Sequence, residues 1–451
     1  MLDFSAQKLQ LNAFSTLPSN LIDGPKIGPL APILAMDLLE NGDAAARNAW
    51  VNSQVFNLLT HARAHSKFWA ARLDRKAPNN LARAPVFRRP DLSEQVLGEG
   101  CLPLSGQHRH AKPNVTSGST GVASRFFISD MNAAYNGLRG AAQYLFEGRS
   151  LELNRVALSH VNVEDKRGYT ISQTPHWAGP LAEVFRNGSG RTVNFQFPDF
   201  AQLGDELLRK PCGYFNSIPP LLVALASAMG REKFMRLQIK EFISRGQQIP
   251  AEARDLCRES GIRIRDTYSS EEVGPIAFEC SAIPGAFHVA TSNVVVECEE
   301  PLQDVDGEKV GKLLITHLHS YATPFIRYEI GDLGALAPEC ACGHRGPAIT
   351  RLYGRLVSFL RHRDGALTSF VMPASFVDEI LPAKEFRVRQ TALDKMVIEI
   401  IPLGEVSEQA VAGITNLLRN RFGAEFDVDV RIVDRIDWGG SYKRQMFRCE
   451  I

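Results

Sequence analysis

The sequence predicts an α/β protein: a large N-terminal domain of several subdomains with mixed and parallel sheets, and a small α+β domain at the C-terminus. Three observations carry this reading. The chain has 451 residues, which suggests two or three domains. From about residue 110, short apolar runs alternate with helical stretches, the pattern of parallel strands joined by crossover helices. Beyond Gly354 and Arg355 strands and helices follow at short spacing, which divides the chain into domains 1–354 and 355–451.

Residues 1–100 are Ala- and Arg-rich with helical periodicity, interrupted at Pro25, Pro29, Pro32, Pro78, Pro85 and Pro90. The runs RVALSHV (155–161), TVNFQF (192–197) and KEFISRG (240–246) read as strands. PPLLVALASAM (219–229) reads as a helix with prolines at its start, where a missing N–H costs little. Residues 250–261 give another helix, entered through Pro250 and stopped by Gly261. The segments 288–300 and 309–318 alternate around a Gly/Asp-rich turn and suggest a hairpin. MVIEIIPL (396–403) and VDVRIV (428–433) supply strands for the last block.

Composition narrows the function. A hydrophobic share of 44% and a charged share of 22% are those of a soluble globular enzyme with a sizeable core. Fifty-one basic and 50 acidic residues leave no electrostatic footprint for nucleic acid or an anionic membrane, so neither is an expected partner. The N-terminus has no basic segment followed by an apolar run, and the longest apolar stretch, 218–229, is too short to span a bilayer. A cytoplasmic protein is expected. Eight cysteines do not make a disulfide framework, and in a reducing compartment the neighbouring Cys340 and Cys342 suggest a metal more than a bridge.

Three segments carry chemistry. The first is Thr116, Ser117, Gly118, Ser119, Thr120 and Gly121, where glycines permit close backbone approach and successive N–H groups and hydroxyls suit a polyphosphate. No Gly-Lys-Ser/Thr follows, so it is not a Walker loop. The second, 266–274, follows the alternating run IRIRDTY and places an aromatic ring and two carboxylates at a strand end, chemistry suited to a base and to Mg²⁺. The third, 324–332, ends in Gly331 and Asp332, an arrangement able to accept both hydroxyls of a ribose. Singly, each reads equally as an ordinary turn.

In this order and spacing the three segments resemble the adenylate-forming enzyme superfamily. Its pattern is a Ser/Thr/Gly phosphate loop, a Tyr-Gly-x-Thr/Ser-Glu segment, a Tyr-Arg-x-x-Asp segment and a Gly-Arg hinge. GPIAFEC (274–280), PFIRYEIGDL (324–333) and the Cys-Ala-Cys-Gly at 340–343 make the chain similar to the phenylacetate–CoA ligase branch, with cover from about residue 80 to the end. The resemblance implies an acid–thiol ligase that forms an acyl-adenylate from an aromatic acid and ATP, then passes the acyl group to coenzyme A. It implies that residues 116–121 cradle phosphates, Glu272 associates with Mg²⁺, and Tyr268 packs on adenine. Gly246 would begin the segment lining adenine and the acyl pocket, Asp332 would bind ribose, and Arg355 would be the hinge residue. Lys443 would be the catalytic lysine, bridging the acid carboxylate and the α-phosphate. The C-terminal domain would then be mobile, rotating about Arg355 between half-reactions.

The sequence also departs from that pattern. Val122 and Ala123 replace the usual Pro-Lys after the loop; Ser269 and Glu271 stand where Gly and Thr/Ser are usual; Val357 and Ser358 alter the hinge; Tyr442 and Met446 flank Lys443. These departures keep open an acceptor other than CoA, either a carrier-protein phosphopantetheine thiol or an amine, and a catalytically silent nucleotide-binding homologue. Assembly as a homodimer is also open. If the branch fold holds, Cys280 and His288 meet Cys340 and Cys342 in a structural Cys₃His zinc site, with His344 as the competing histidine and reduced thiols as the alternative. By position, an acyl pocket would draw on Tyr169, Trp177, Tyr214 and Phe215, rings that suit a flat acid as well as plain core packing.

Overall fold

A computed structural model describes residues 30–74, 76–77, 79–108, 110–115, 124–160, 169–195, 200–305, 308–355, 359–365, 367–370, 374–437 and 446–451. The helical start runs through Leu30–Asn41, Ala44–His65, Lys67–Arg72 and Arg89–Glu99. Asp43 caps the second helix by accepting from the Ala46 N–H, and Ser66 caps the third by accepting from Trp69. A buried ion pair, Arg139 to Glu40 at 2.6 Å, ties Leu30–Asn41 to the helix Asp130–Phe146, and Ser292 donates its hydroxyl to the same glutamate.

Fourteen strands among the described residues form one continuous sheet. Half of it is parallel, running Gly190–Phe195, Arg155–His160, Tyr214–Ser217, Glu241–Arg245 and Arg263–Ser270, with antiparallel Tyr169–Thr174 at the edge. The helices Phe200–Leu208, Pro219–Met229 and Ala251–Glu259 cover it, and Val156, Val193, Phe215, Leu225 and Phe242 form its core. Pro219–Met229 and Ala251–Glu259 match the expected helices; Gly261 takes φ +65°, the left-handed conformation that ends the second. The other half is antiparallel and runs Gly274–Glu279, Phe287–Val289, Ala348–Arg355, Tyr328–Ala337, Glu308–His317 and Val294–Val305. The two halves meet where Arg263–Ser270 pairs antiparallel with Gly274–Glu279. The turn 271–273 therefore lies at the carboxyl end of the parallel strands, where α/β sheets bind ligands.

The expected hairpin is present, with residues 306–307 of its turn outside the described residues. Its first arm starts later than the alternation of 288–300 predicts and runs on to Val305. Phe287–Val289 and Val294–Val305 are separate strands because Thr291, Ser292 and Asn293 turn the chain. The Asn293 amide donates to the Pro275 carbonyl at 2.8 Å and pins that turn to the neighbouring strand.

The C-terminal residues form a four-stranded sheet ordered Asp427–Ile432, Lys395–Pro402, Ala383–Ala392 and Phe447–Cys449. The helix Glu408–Phe422 packs on it through Ile414, Leu418 and Phe422 against Val388, Ile398 and Ile400. A short hairpin, Phe359–Arg361 with Leu367–Ser369, extends the large sheet through Leu367 beside Val305. Consecutive side chains of that hairpin point to opposite faces. Phe359 packs with Tyr353 on the large sheet, whereas Leu360 joins the C-terminal core.

Candidate active site

Tyr268, Asp332 and Arg355 lie on three strands, Arg263–Ser270, Tyr328–Ala337 and Ala348–Arg355, and meet at one point. Asp332 and Arg355 are cross-strand partners. The Tyr268 hydroxyl donates to Asp332 Oδ2 at 2.7 Å, and Arg355 Nε approaches Asp332 Oδ1 at 3.3 Å. Burial and the adjacent Asp332 carboxylate push the Tyr268 phenol well above its ordinary range, so it stays a donor. Gly331, at φ +93°, supplies the left-handed residue before Asp332.

Glu272 sits beside this group and accepts from the Tyr328 hydroxyl at 3.4 Å. Tyr328 is in the sequence motif ending at Asp332, but nothing in the sequence pairs it with Glu272. Gly246, at φ +71° just past Glu241–Arg245, lines a cavity of about 620 Å³ together with Asn216, Ile218, Thr267, Ser269 and Glu271. The helix Asp130–Phe146 closes that cavity with Gly140, Gln143 and Tyr144, positions that no motif announced. Gly274, at φ +68°, lies against this helix; a Cβ there would stand 2.5 Å from Asn136 Cγ.

The expected ring pocket is a correction. Trp177 packs edge-on against Tyr214 at 5.3 Å in one core, and Phe215 is fully buried in another beside Phe242. All three serve packing: Tyr214 and Phe215 lie on a parallel strand whose two faces are covered, and Trp177 packs from the stretch after Tyr169–Thr174. The rings on the cavity wall are Tyr144 and Phe278. The side chain of Tyr169 lies outside the described residues.

Residues 116–121, Val357, Ser358 and Lys443 lie outside the described residues. Their flanks are placed. Ala111–Val115 and Arg125–Ser129 form an antiparallel pair with Val115 opposite Arg125, and Asn114 reaches the cavity wall. The segment with Lys443 leads into Phe447–Cys449, parallel to Ala383–Ala392.

At the turn end of the Tyr328–Ala337 and Ala348–Arg355 hairpin, away from the Asp332–Arg355 pair, the structure assembles Cys280, His288, Cys340 and Cys342, with ligand atoms all within 4.8 Å of one another. Cys280 follows Gly274–Glu279, His288 lies on Phe287–Val289, and the two other cysteines occupy the turn between Tyr328–Ala337 and Ala348–Arg355. Cys342 Sγ is 3.3 Å from His288 Nε2. The turn is tight, with Gly343 donating to the Cys340 carbonyl at 3.0 Å. His344 stacks on His288 at 4.0 Å, outside the four converging groups. A tetrahedral ion with bonds of about 2.0–2.3 Å brings its ligands to within roughly 4 Å of one another, so the spacing fits a zinc centre closed by protein.

No family model matches the chain. A stretch of 179 residues is 25% identical to protein CapK of Staphylococcus aureus, spanning 38% of each chain, well under two thirds of that relative. Among solved structures, a 2-hydroxyisobutyryl-CoA ligase in the postadenylation state, bound to R3-HIB-AMP, superposes with a TM-score of 0.63 at 17% identity, covering 92% of this chain and 91% of that one. The ligase with 2-HIB-AMP and CoA in the thioesterification state gives 0.57 at 17%, covering 91% of both. No described helix is long and apolar enough to cross a membrane. The chain thus has the fold of the adenylate-forming acid–CoA ligases.

Proposed function

We propose that the chain activates a carboxylic acid with ATP as an acyl-adenylate and transfers the acyl group to the thiol of coenzyme A. The observation that carries this reading is the Tyr268–Asp332–Arg355 cluster at the mouth of the parallel strands. Tyr268 holds one Asp332 oxygen and Arg355 the other, so the carboxylate is fixed in place, as a group that is to accept ribose hydroxyls has to be. Tyr268 acts in this account by orienting Asp332, and adenine lies along the segment that starts at Gly246. The acid occupies the cavity of about 620 Å³, where Tyr144 and Phe278 suit a flat ring.

Both reactants are anionic, so their repulsion has to be neutralised. The loop 116–121 supplies N–H donors to phosphate, and Glu272 is the side chain suited to Mg²⁺, whose chemistry when bound is charge neutralisation. Lys443 holds its ammonium between carboxylate and α-phosphate as charge builds there. Pyrophosphate leaves, and the thiol attacks the acyl carbon and displaces AMP. The segment around Arg355 is the hinge between units 1–354 and 355–451. Cys280, His288, Cys340 and Cys342 would hold a structural zinc ion. Four protein ligands would make it a support for the fold and not an activator of water. Acid-dependent exchange of pyrophosphate into ATP, across a panel of acids, tests the reading; thioester formation with free CoA tests the acceptor.

A further inference from the structure

We propose that the acid activated here carries an aliphatic ammonium group, held by Glu271. This inference rests on the adenylation reading above and names its substrate class. Glu271 opens the turn between Arg263–Ser270 and Gly274–Glu279 and lines the cavity that the acid would fill. Its carboxylate is exposed there and has no hydrogen bond or ion pair among the described residues. The next residue, Glu272, is directed elsewhere, to the Tyr328 hydroxyl. The cavity's arginines do not serve Glu271. Arg149 is held between Glu147 and Glu241, and Arg245 donates to the Leu158 carbonyl at 3.2 Å. Asn216 Oδ1, also on this wall, is a buried acceptor without a partner among the described residues. Ile128, Leu158, Ile218 and Ile243 line the same cavity and suit the carbon skeleton.

Charge decides the class. A carboxylate on the wall repels a simple anionic acid, and a neutral hydroxyl at this position would not. An ammonium on the substrate turns that repulsion into a charge-assisted hydrogen bond and supplies donors to Glu271 and Asn216. A site built around a donor rejects the analogue that lacks it, because its polar groups are then left unpaired.

Pyrophosphate exchange measured with pairs of acids of equal length, one ending in an amine and one in a methyl group, tests the proposal. The wild-type protein is expected to favour the amine member by about 10–100-fold in kcat/KM, the discrimination of one charged hydrogen bond. Glu271→Gln is expected to erase most of that preference through KM, losing activity with the amine and gaining with the methyl acid, at an unaltered Mg²⁺ requirement. Equal use of both members by the wild type overturns the proposal and leaves adenylation standing. A preference kept by Glu271→Gln, or a raised Mg²⁺ requirement with the preference unchanged, also overturns it, the latter by making Glu271 a cation ligand. Exchange with no acid of either kind overturns adenylation along with it.

Discussion

The cysteine–histidine cluster and the Tyr268–Asp332–Arg355 cluster both draw on the hairpin strands Tyr328–Ala337 and Ala348–Arg355 or the turn between them, yet they are completed in different ways. The first gathers four ligating groups within 4.8 Å, three of them soft sulfurs, and leaves no position for an outside molecule. The second fixes a carboxylate between one phenol and one guanidinium, the group that ribose would meet in the proposed reading. In the proposed reading one is finished by the fold and its ion, the other by the nucleotide. The difference teaches that the same sheet region separates stability from turnover, and each side can be broken without the other.

The largest expected effect is at Lys443. Lys443→Ala should lower pyrophosphate exchange by about 10²–10³-fold, the usual cost of removing one group that stabilises transition-state charge. Equilibrium ATP binding should change only a few-fold. Exchange near the wild-type rate would move the role to Lys384 or Lys395.

Next is the open cluster. Asp332→Asn keeps the shape and removes the charge that accepts from Tyr268 and, in the proposed reading, from ribose. A charged hydrogen bond is worth about 1.5–3 kcal/mol, so the KM for ATP should rise by about 10–100-fold. The melting temperature should move little, because Arg355 is partly exposed and its ion pair is screened. A large thermal loss with an unchanged KM would make Asp332 structural.

The closed cluster should respond in the opposite sense. The protein purified without chelator should carry one zinc per chain, and Cys340→Ser with Cys342→Ser should lose it. The expected cost is a lowered melting temperature, with the KM for the acid unaffected while the protein stays folded. Less than about a tenth of an equivalent of zinc in the wild type, read by elemental analysis, would contradict the assignment on the coordination chemistry that carries it.

The smallest effect is on pH dependence, next to the junction of the two half-sheets. Burial, then the charge of Glu279, raise the Asp266 carboxyl from its ordinary value to about 7. A raised carboxyl means that the native state holds a proton the unfolded chain releases. Its contribution is therefore favourable at acid pH and declines as pH rises from about 4 towards 7. Asp266→Asn should flatten that decline in a plot of melting temperature against pH. An identical slope in the variant would assign the titration to another group.

Much of this was legible in the sequence. The helices 219–229 and 250–261 follow from Pro and Gly at their ends, and the strand Glu241–Arg245 from its apolar run. Asp332, Glu272 and the Cys340–Cys342 pair stand in local motifs, whereas Cys280 and His288 are expected beside that pair only through the branch resemblance, and the four side chains do converge. What escaped is what depends on long-range pairing. The sequence does not place Tyr268 against Asp332, because their contact crosses 64 residues and is made by strand order. It does not distinguish Trp177 and Tyr214, which fill a core, from Tyr144 and Phe278, which face the cavity. Glu271 was visible only as a departure from a pattern, and the cavity around it gives that departure a physical meaning.

One measurement tests the central claim most directly: acid-dependent exchange of labelled pyrophosphate into ATP by the purified full-length chain, with Lys443→Ala alongside. Exchange is expected to require an acid and Mg²⁺, and to fall by about 10²–10³-fold in the variant. Tight ATP binding with no exchange for any acid, in a folded wild-type protein, would contradict it and leave a nucleotide-binding protein that forms no adenylate.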